Sequence, residues 1–115
     1  MKLNYVVEGK GEPLIFLHGL SDDLRYWEVL TSTLKKKYQV IRIDLRGHGE
    51  SELGDDEITI DTYADDLKDL LDDLKIDAGN LIGFSLGGRC CNGFCNQISE
   101  LCIFDCIDVN FCEMR

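Results

Sequence analysis

Short, unbroken apolar runs alternate along this chain with longer stretches whose apolar positions recur every three or four residues. Leu14-Ile15-Phe16-Leu17 has no polar interruption and stops at His18-Gly19. Such a run predicts a strand buried on both faces, as in a parallel sheet. Tyr38 to Leu45 (YQVIRIDL) and Asn80-Leu81-Ile82-Gly83-Phe84 read as further strands. Residues 2–8 (KLNYVVE) read as a first strand, closed by the turn signal Gly9-Lys10-Gly11-Glu12-Pro13. Between them, Ser21 to Lys37 predicts a helix with Leu24, Trp27, Leu30 and Leu34 at helical spacing. Thr59 to Leu74 predicts an amphipathic helix. Its apolar face is Ile60, Tyr63, Leu67, Leu70, Leu71 and Leu74, and its opposite face is acidic. Strands alternating with helices across short loops predict an α/β fold, a mostly parallel sheet with flanking helices.

Charge narrows the partners. The formal net charge is −10, which argues against nucleic acid, because phosphate binding needs clustered Lys and Arg. Half of the acidic residues lie between Glu52 and Asp77, where Lys68 and Lys75 are the basic residues. These acids fall on no ligand spacing, so a solvated helix face is favoured over a metal site or a basic partner. At 115 residues the chain has room for one domain. It contains no apolar run of the roughly 18 residues that a membrane span needs. The N-terminus, MKLNYVVEGKGE, lacks the apolar run of a signal peptide, and a cytoplasmic location is expected.

The chemistry concentrates at Gly83-Phe84-Ser85-Leu86-Gly87, a G-x-S-x-G pattern placed between an expected strand and an expected helix. The pattern has a steric reason. A serine on a sharp, strained turn projects its hydroxyl above the sheet, and small flanking residues let strand and helix approach. Alone the pattern is common; its strand-to-helix placement makes it informative.

Three segments together carry a family resemblance: Phe16-Leu17-His18-Gly19-Leu20, Ile43-Asp44-Leu45-Arg46-Gly47-His48-Gly49-Glu50-Ser51, and Leu81-Ile82-Gly83-Phe84-Ser85-Leu86-Gly87-Gly88. In order and spacing, residues 1–88 resemble the N-terminal part of the α/β-hydrolase superfamily, and look closest to small esterases, enol-lactonases and haloperoxidase-like members that use no cofactor. The resemblance implies Ser85 as nucleophile and the backbone N–H groups of Leu20 and Leu86 as an oxyanion hole. It implies structural roles for His18, Gly19, Asp44, Arg46, Gly47, His48, Gly49, Gly83 and Gly87. Neither histidine is then the general base, and Tyr26 and Trp27 are core or pocket wall. A small ester or lactone is the implied substrate, with no cofactor and no metal; the oligomeric state stays open.

After Gly88 the resemblance breaks. The family places its acid and then its histidine after the serine, and no histidine follows Ser85 here. All six cysteines lie between Cys90 and Cys112: Cys90, Cys91, Cys95, Cys102, Cys106 and Cys112. Their spacing lacks the C-x₂-C pairs of a metal site, and a disulfide framework conflicts with a cytoplasmic protein. Asn92-Gly93 reads as a helix breaker. A one-base forward shift of reading frame from residue 90 permits AVMDFAIKYPN and then an aliphatic strand, which is what the family places after its Gly-Gly. The expected division is therefore an N-terminal part of a hydrolase domain over 1–88 and an aberrant, frameshift-derived tail over 89–115. The polypeptide is expected to be a hydrolase by descent, inactive as written. The competing reading is a non-catalytic truncated product or a small binding module, and a thiol or metal protein built on the cysteines is weaker still.

Overall fold

The computed structural model describes residues 2–97 and 104–108. Among the described residues, five strands and three α-helices follow in the order β1 (Tyr5–Glu8), β2 (Glu12–Leu17), a 3₁₀ turn (Leu24–Trp27), α1 (Glu28–Leu34), β3 (Tyr38–Ile43), α2 (Ile60–Asp73), β4 (Gly79–Gly83), α3 (Leu86–Gln97) and β5 (Phe104–Asp108). The strands form one sheet in the order β1-β3-β2-β4-β5. β2 pairs in parallel with β3 and β4, and β4 in parallel with β5; β1 runs antiparallel to β3. The expected mostly parallel α/β sheet is present, and its central strand β2 is the apolar run that suggested it.

Alternation along the central strands feeds two cores. Ile15, Leu17, Ile41, Ile43 and Leu81 face α2 and α3, meeting Ala64, Leu67, Leu71, Cys90, Cys91 and Phe94. Leu14, Phe16 and Val40 point the other way, onto Trp27, with Leu34, Ile82 and Phe84 packed alongside. The sheet is thus covered on both faces. Burying a large aliphatic side chain is worth about 1.5–3 kcal/mol, so these two layers hold the loops at the strand ends in place. Among the described residues no helix is long and apolar enough to cross a membrane.

Two local expectations are corrected. The stretch from Ser21 to Lys37 is not one helix: a 3₁₀ turn precedes a short α1. The change of period rotates the phase, so Leu30 is exposed and Thr31 is buried instead. The acidic outer face of α2 is present, and Asp66 lies apart from it, buried within the apolar stripe. Asn92-Gly93 does not break α3, which runs through both. A Cβ on Gly93 would meet Ile60 Cγ2 at 2.5 Å. Glycine there lets α2 and α3 close on each other, and that packing outweighs the roughly 1 kcal/mol of poor helix propensity. Of the 89–115 tail, residues 98–103 and 109–115, with Cys102 and Cys112, lie outside the described residues.

Candidate active site

β4 ends at Gly83 and α3 begins at Leu86, leaving Phe84 and Ser85 to make the whole turn. Ser85 takes φ 57°, a left-handed conformation that costs an L-residue roughly 1–2 kcal/mol. The turn is over-determined by its neighbours. Phe84 N–H donates to Leu17 O at 3.1 Å, Gly87 N–H to Phe84 O at 3.0 Å and Arg89 N–H to Ser85 O at 3.2 Å. A Cβ on Gly83 would overlap the Gly87 carbonyl group, and one on Gly87 would lie 2.7 Å from His18 O. The two glycines of the motif are where strand, turn and helix touch, as their spacing suggested. Ser85 itself is exposed, and its hydroxyl has no hydrogen bond among the described residues. Leu86 is the first residue of α3, so its N–H belongs to the helix-end donors that have no intrahelical acceptor.

Facing this turn, β2 runs into His18-Gly19-Leu20. The His18 side chain is fully buried. Its Nε2 accepts from Leu45 N–H at 3.0 Å, so the ring proton sits on Nδ1, 2.7 Å from Gly19 O, and donates to it. Burial lowers the His18 pKa below its ordinary 6.5, with nearby His48 adding to the effect and the Gly19 hydrogen bond opposing it. Gly19 is buried and Leu20 is 70% exposed. Ser21, just beyond, also has a left-handed φ of 64°. Strained non-glycine backbone therefore lies both in the Ser85 turn and just beyond the His18–Leu20 loop.

The third segment ties the structure behind that loop. Asp44 is 2% exposed; its Oδ1 accepts from Leu24 N–H at 2.7 Å, and its Oδ2 from Asn4 Nδ2 at 2.9 Å and Glu50 N–H at 3.0 Å. With both oxygens taken by loop donors, Asp44 is committed to holding the 44–51 loop against the 3₁₀ turn. Gly47 and Gly49 supply left-handed backbone at φ 73° and 52°. His48 Nδ1 donates to Arg46 O at 3.0 Å, and its ring lies 5.1 Å from that of His18. Arg46 is buried and forms a two-pronged pair with Asp66, Nε to Oδ2 at 2.8 Å and Nη2 to Oδ1 at 2.7 Å. A further bond runs from Arg46 Nη1 to Asp56 Oδ2 at 3.1 Å. Asp66 was missed from sequence. Its signal was an acid inside the apolar stripe of α2, three residues after Tyr63 and one before Leu67.

The structure thus brings the Ser85 turn and the His18–Leu20 loop together, and seats Asp44, Arg46 and His48 behind them as packing and hydrogen-bonding residues. Among the described residues there is no cluster of three or more His, Cys, Asp or Glu arranged to hold a metal ion.

Comparison with known proteins identifies the fold family. Residues 12–101 match the α/β hydrolase fold family, a match that runs past Gly88 into α3 and beyond. A non-heme chloroperoxidase of Kitasatospora aureofaciens is 40% identical over 81 residues, covering 70% of this chain and 30% of the relative. A 3-oxoadipate enol-lactonase of Acinetobacter baylyi is 33% identical over 75 residues, covering 65% of this chain and 28% of the relative. The solved structure of a marine microorganism esterase superposes with a TM-score of 0.83 at 33% identity, covering 90% of this chain and 39% of the esterase. The chain spans about a third of the length of the relatives it matches. Its sheet order, its serine turn between β4 and α3, and its match over residues 12–101 place this chain in the α/β hydrolase family.

Proposed function

We propose that this chain carries the nucleophile half of a serine hydrolase acting on a small ester, lactone or related carbonyl compound. The observation that carries the reading is Ser85: exposed, strained at φ 57°, and set at the start of α3. Its hydroxyl oxygen attacks the substrate carbonyl. The resulting oxyanion is held by the N–H groups of Leu86 and Leu20 and by the positive end of the α3 dipole. One such donor is worth about 10²–10³ in rate in other hydrolases.

Neither of the two histidines is placed to act as the general base. His18 is fully buried with both ring nitrogens engaged, and His48 is bonded to the Arg46 carbonyl. A histidine and a carboxylate from elsewhere complete the triad, and without them turnover falls by about 10⁶. The polypeptide is then close to inactive alone. The esterase and enol-lactonase relatives support carbonyl substrates of this class.

The test is exposure to p-nitrophenyl acetate with and without added imidazole, followed by peptide mapping. An acetyl group that accumulates on Ser85, faster with imidazole and absent in Ser85→Ala, supports the reading. Acetylation spread over lysines with none on Ser85 overturns it.

Residues 89–115 are proposed to derive from a shifted reading frame. Cys90, Cys91 and Phe94 are buried between α3 and the sheet, and the forward frame permits Ala, Val and Phe at those three places. The gene decides the matter: a forward frame after codon 89 that encodes no helix, strand and later histidine rejects the shift.

A further inference from the structure

β1 lies at one end of the sheet, and among the described residues β3 is the one strand that pairs with it. Hydrogen-bonded positions alternate along an antiparallel pair. Asn4 O accepts from Asp44 N–H at 2.9 Å, so Asn4, Val6 and Glu8 turn their backbone groups towards β3. Leu3, Tyr5 and Val7 turn theirs outward along the edge. Protein edges are usually blunted by proline, by charge within the strand or by a bulge. Tyr5-Val6-Val7 carries none of these, its register against β3 is regular, and it consists of residue types that strands favour. Tyr5 and Val7 share a face with Ile43 and Ile41 and are 39% and 40% exposed. The segment is charged at its two ends. Lys2 is exposed, and Glu8 is partly exposed, held in place by Arg42 Nη2 at 3.1 Å and Lys35 Nζ at 3.4 Å.

We infer that this edge binds a second copy of the chain, β1 against β1 in antiparallel sense, about a two-fold axis through Tyr5. In that register Tyr5 faces Tyr5 of the second copy, Leu3 faces Val7, Asn4 faces Val6 and Lys2 faces Glu8. The outward-turned positions then meet one another, as hydrogen-bonded pairs require. Opposite charges meet at both ends, because a two-fold contact repeats each pair. Neighbouring registers fail on one of these counts. An axis through Val6 sets Lys2 against Lys10. An axis through Val7 runs Tyr5 against Gly9, whose φ of 84° ends the strand. In-register parallel pairing sets Lys2 beside Lys2 and Glu8 beside Glu8. The two-fold arrangement joins the two sheets and leaves the Ser85 turn uncovered, since that turn follows β4 on the far side of β2. It is independent of the nucleophile reading.

The experiment is sedimentation velocity over a range of micromolar concentrations, with the cysteines kept reduced so that no disulfide links the copies. The native chain should show a species of twice 13.0 kDa that dissociates on dilution. Tyr5→Lys places two ammonium groups on the axis and removes the aromatic pair, and should raise the dissociation constant about tenfold. Lys2→Glu sets like charges together at both ends and should also raise it. Val29→Lys, at an exposed position on α1, should leave it unchanged. A monomer at every concentration, or larger assemblies in place of a dimer, overturns the inference. So does a dimer that Tyr5→Lys or Lys2→Glu leaves intact, or one that Val29→Lys weakens equally. Should Tyr5→Lys lose cooperative melting, Lys2→Glu carries the comparison.

Discussion

The imidazole of His18 and the amide of Leu45 are joined by a 3.0 Å hydrogen bond in which the ring is the acceptor. An acceptor nitrogen cannot carry a proton, so this bond exists only while His18 is neutral. It links the residue after β2 to the second residue beyond β3, and the other ring nitrogen holds Gly19 O. A single uncharged side chain therefore fixes the loop that carries Leu20.

Acid should loosen this arrangement. The folded pKa of His18 lies below 6.5, mainly through burial. The unfolded chain therefore takes up the proton first, and the stability present above pH 6.5 is lost progressively as pH falls below it. Urea midpoints measured from pH 7.5 to 5.0 should drop more steeply for the native sequence than for His18→Gln. Equal slopes would remove His18 from the account.

Backbone strain at Ser85 gives a comparison within one position. Glycine adopts φ 57° without the steric penalty of a Cβ, whereas alanine keeps it. Ser85→Gly should exceed Ser85→Ala in stability by about 1 kcal/mol, even after the extra chain entropy that glycine brings to the unfolded state. Thermal or urea denaturation reads the difference directly. Elsewhere in a regular element the same pair would rank the other way.

The Arg46–Asp66 pair is buried on both sides, with side chains 3% and 6% exposed. Removing one partner leaves an uncompensated charge, and Asp66→Ala should cost about 3–5 kcal/mol. Asp56, whose side chain is 75% exposed, pairs with the same guanidinium through solvent-screened geometry. Asp56→Ala should therefore cost no more than about 1 kcal/mol. Urea melts of the two variants separate these values cleanly.

The thiols should differ in reactivity. Cys90 and Cys91 are 0% and 1% exposed, and burial pushes the Cys90 thiol up to about 12. Since the thiolate is the reactive form, iodoacetamide at pH 8 should leave both unmodified in the native chain while Cys95, only partly buried, reacts ahead of these two. Peptide mass mapping after a short pulse distinguishes this from uniform alkylation.

Much of the architecture was legible because it rests on local pattern. The four-residue run at Leu14 to Leu17 became the central strand, and Thr59 caps α2 by accepting from Thr62 N–H, where the amphipathic period began. The errors arose where tertiary contact decides. Leu30 left the core because a 3₁₀ turn shifted the phase of α1. Gly93 stayed helical because Ile60 packs against it, and Asp66 went inside because Arg46 waits there. Ser85 and its two glycines were visible because their reason is steric and local. The Tyr26–Phe84 stack was not, since residues so far apart in sequence meet only in the folded chain.

Fluorophosphonate labelling of the purified chain, with the site mapped by mass spectrometry, tests the central claim most directly. The expected result is slow labelling confined to Ser85, abolished in Ser85→Ala and accelerated by added imidazole. Rapid labelling without imidazole would place a base within these residues. Labelling that survives Ser85→Ala would contradict the assignment of the nucleophile itself.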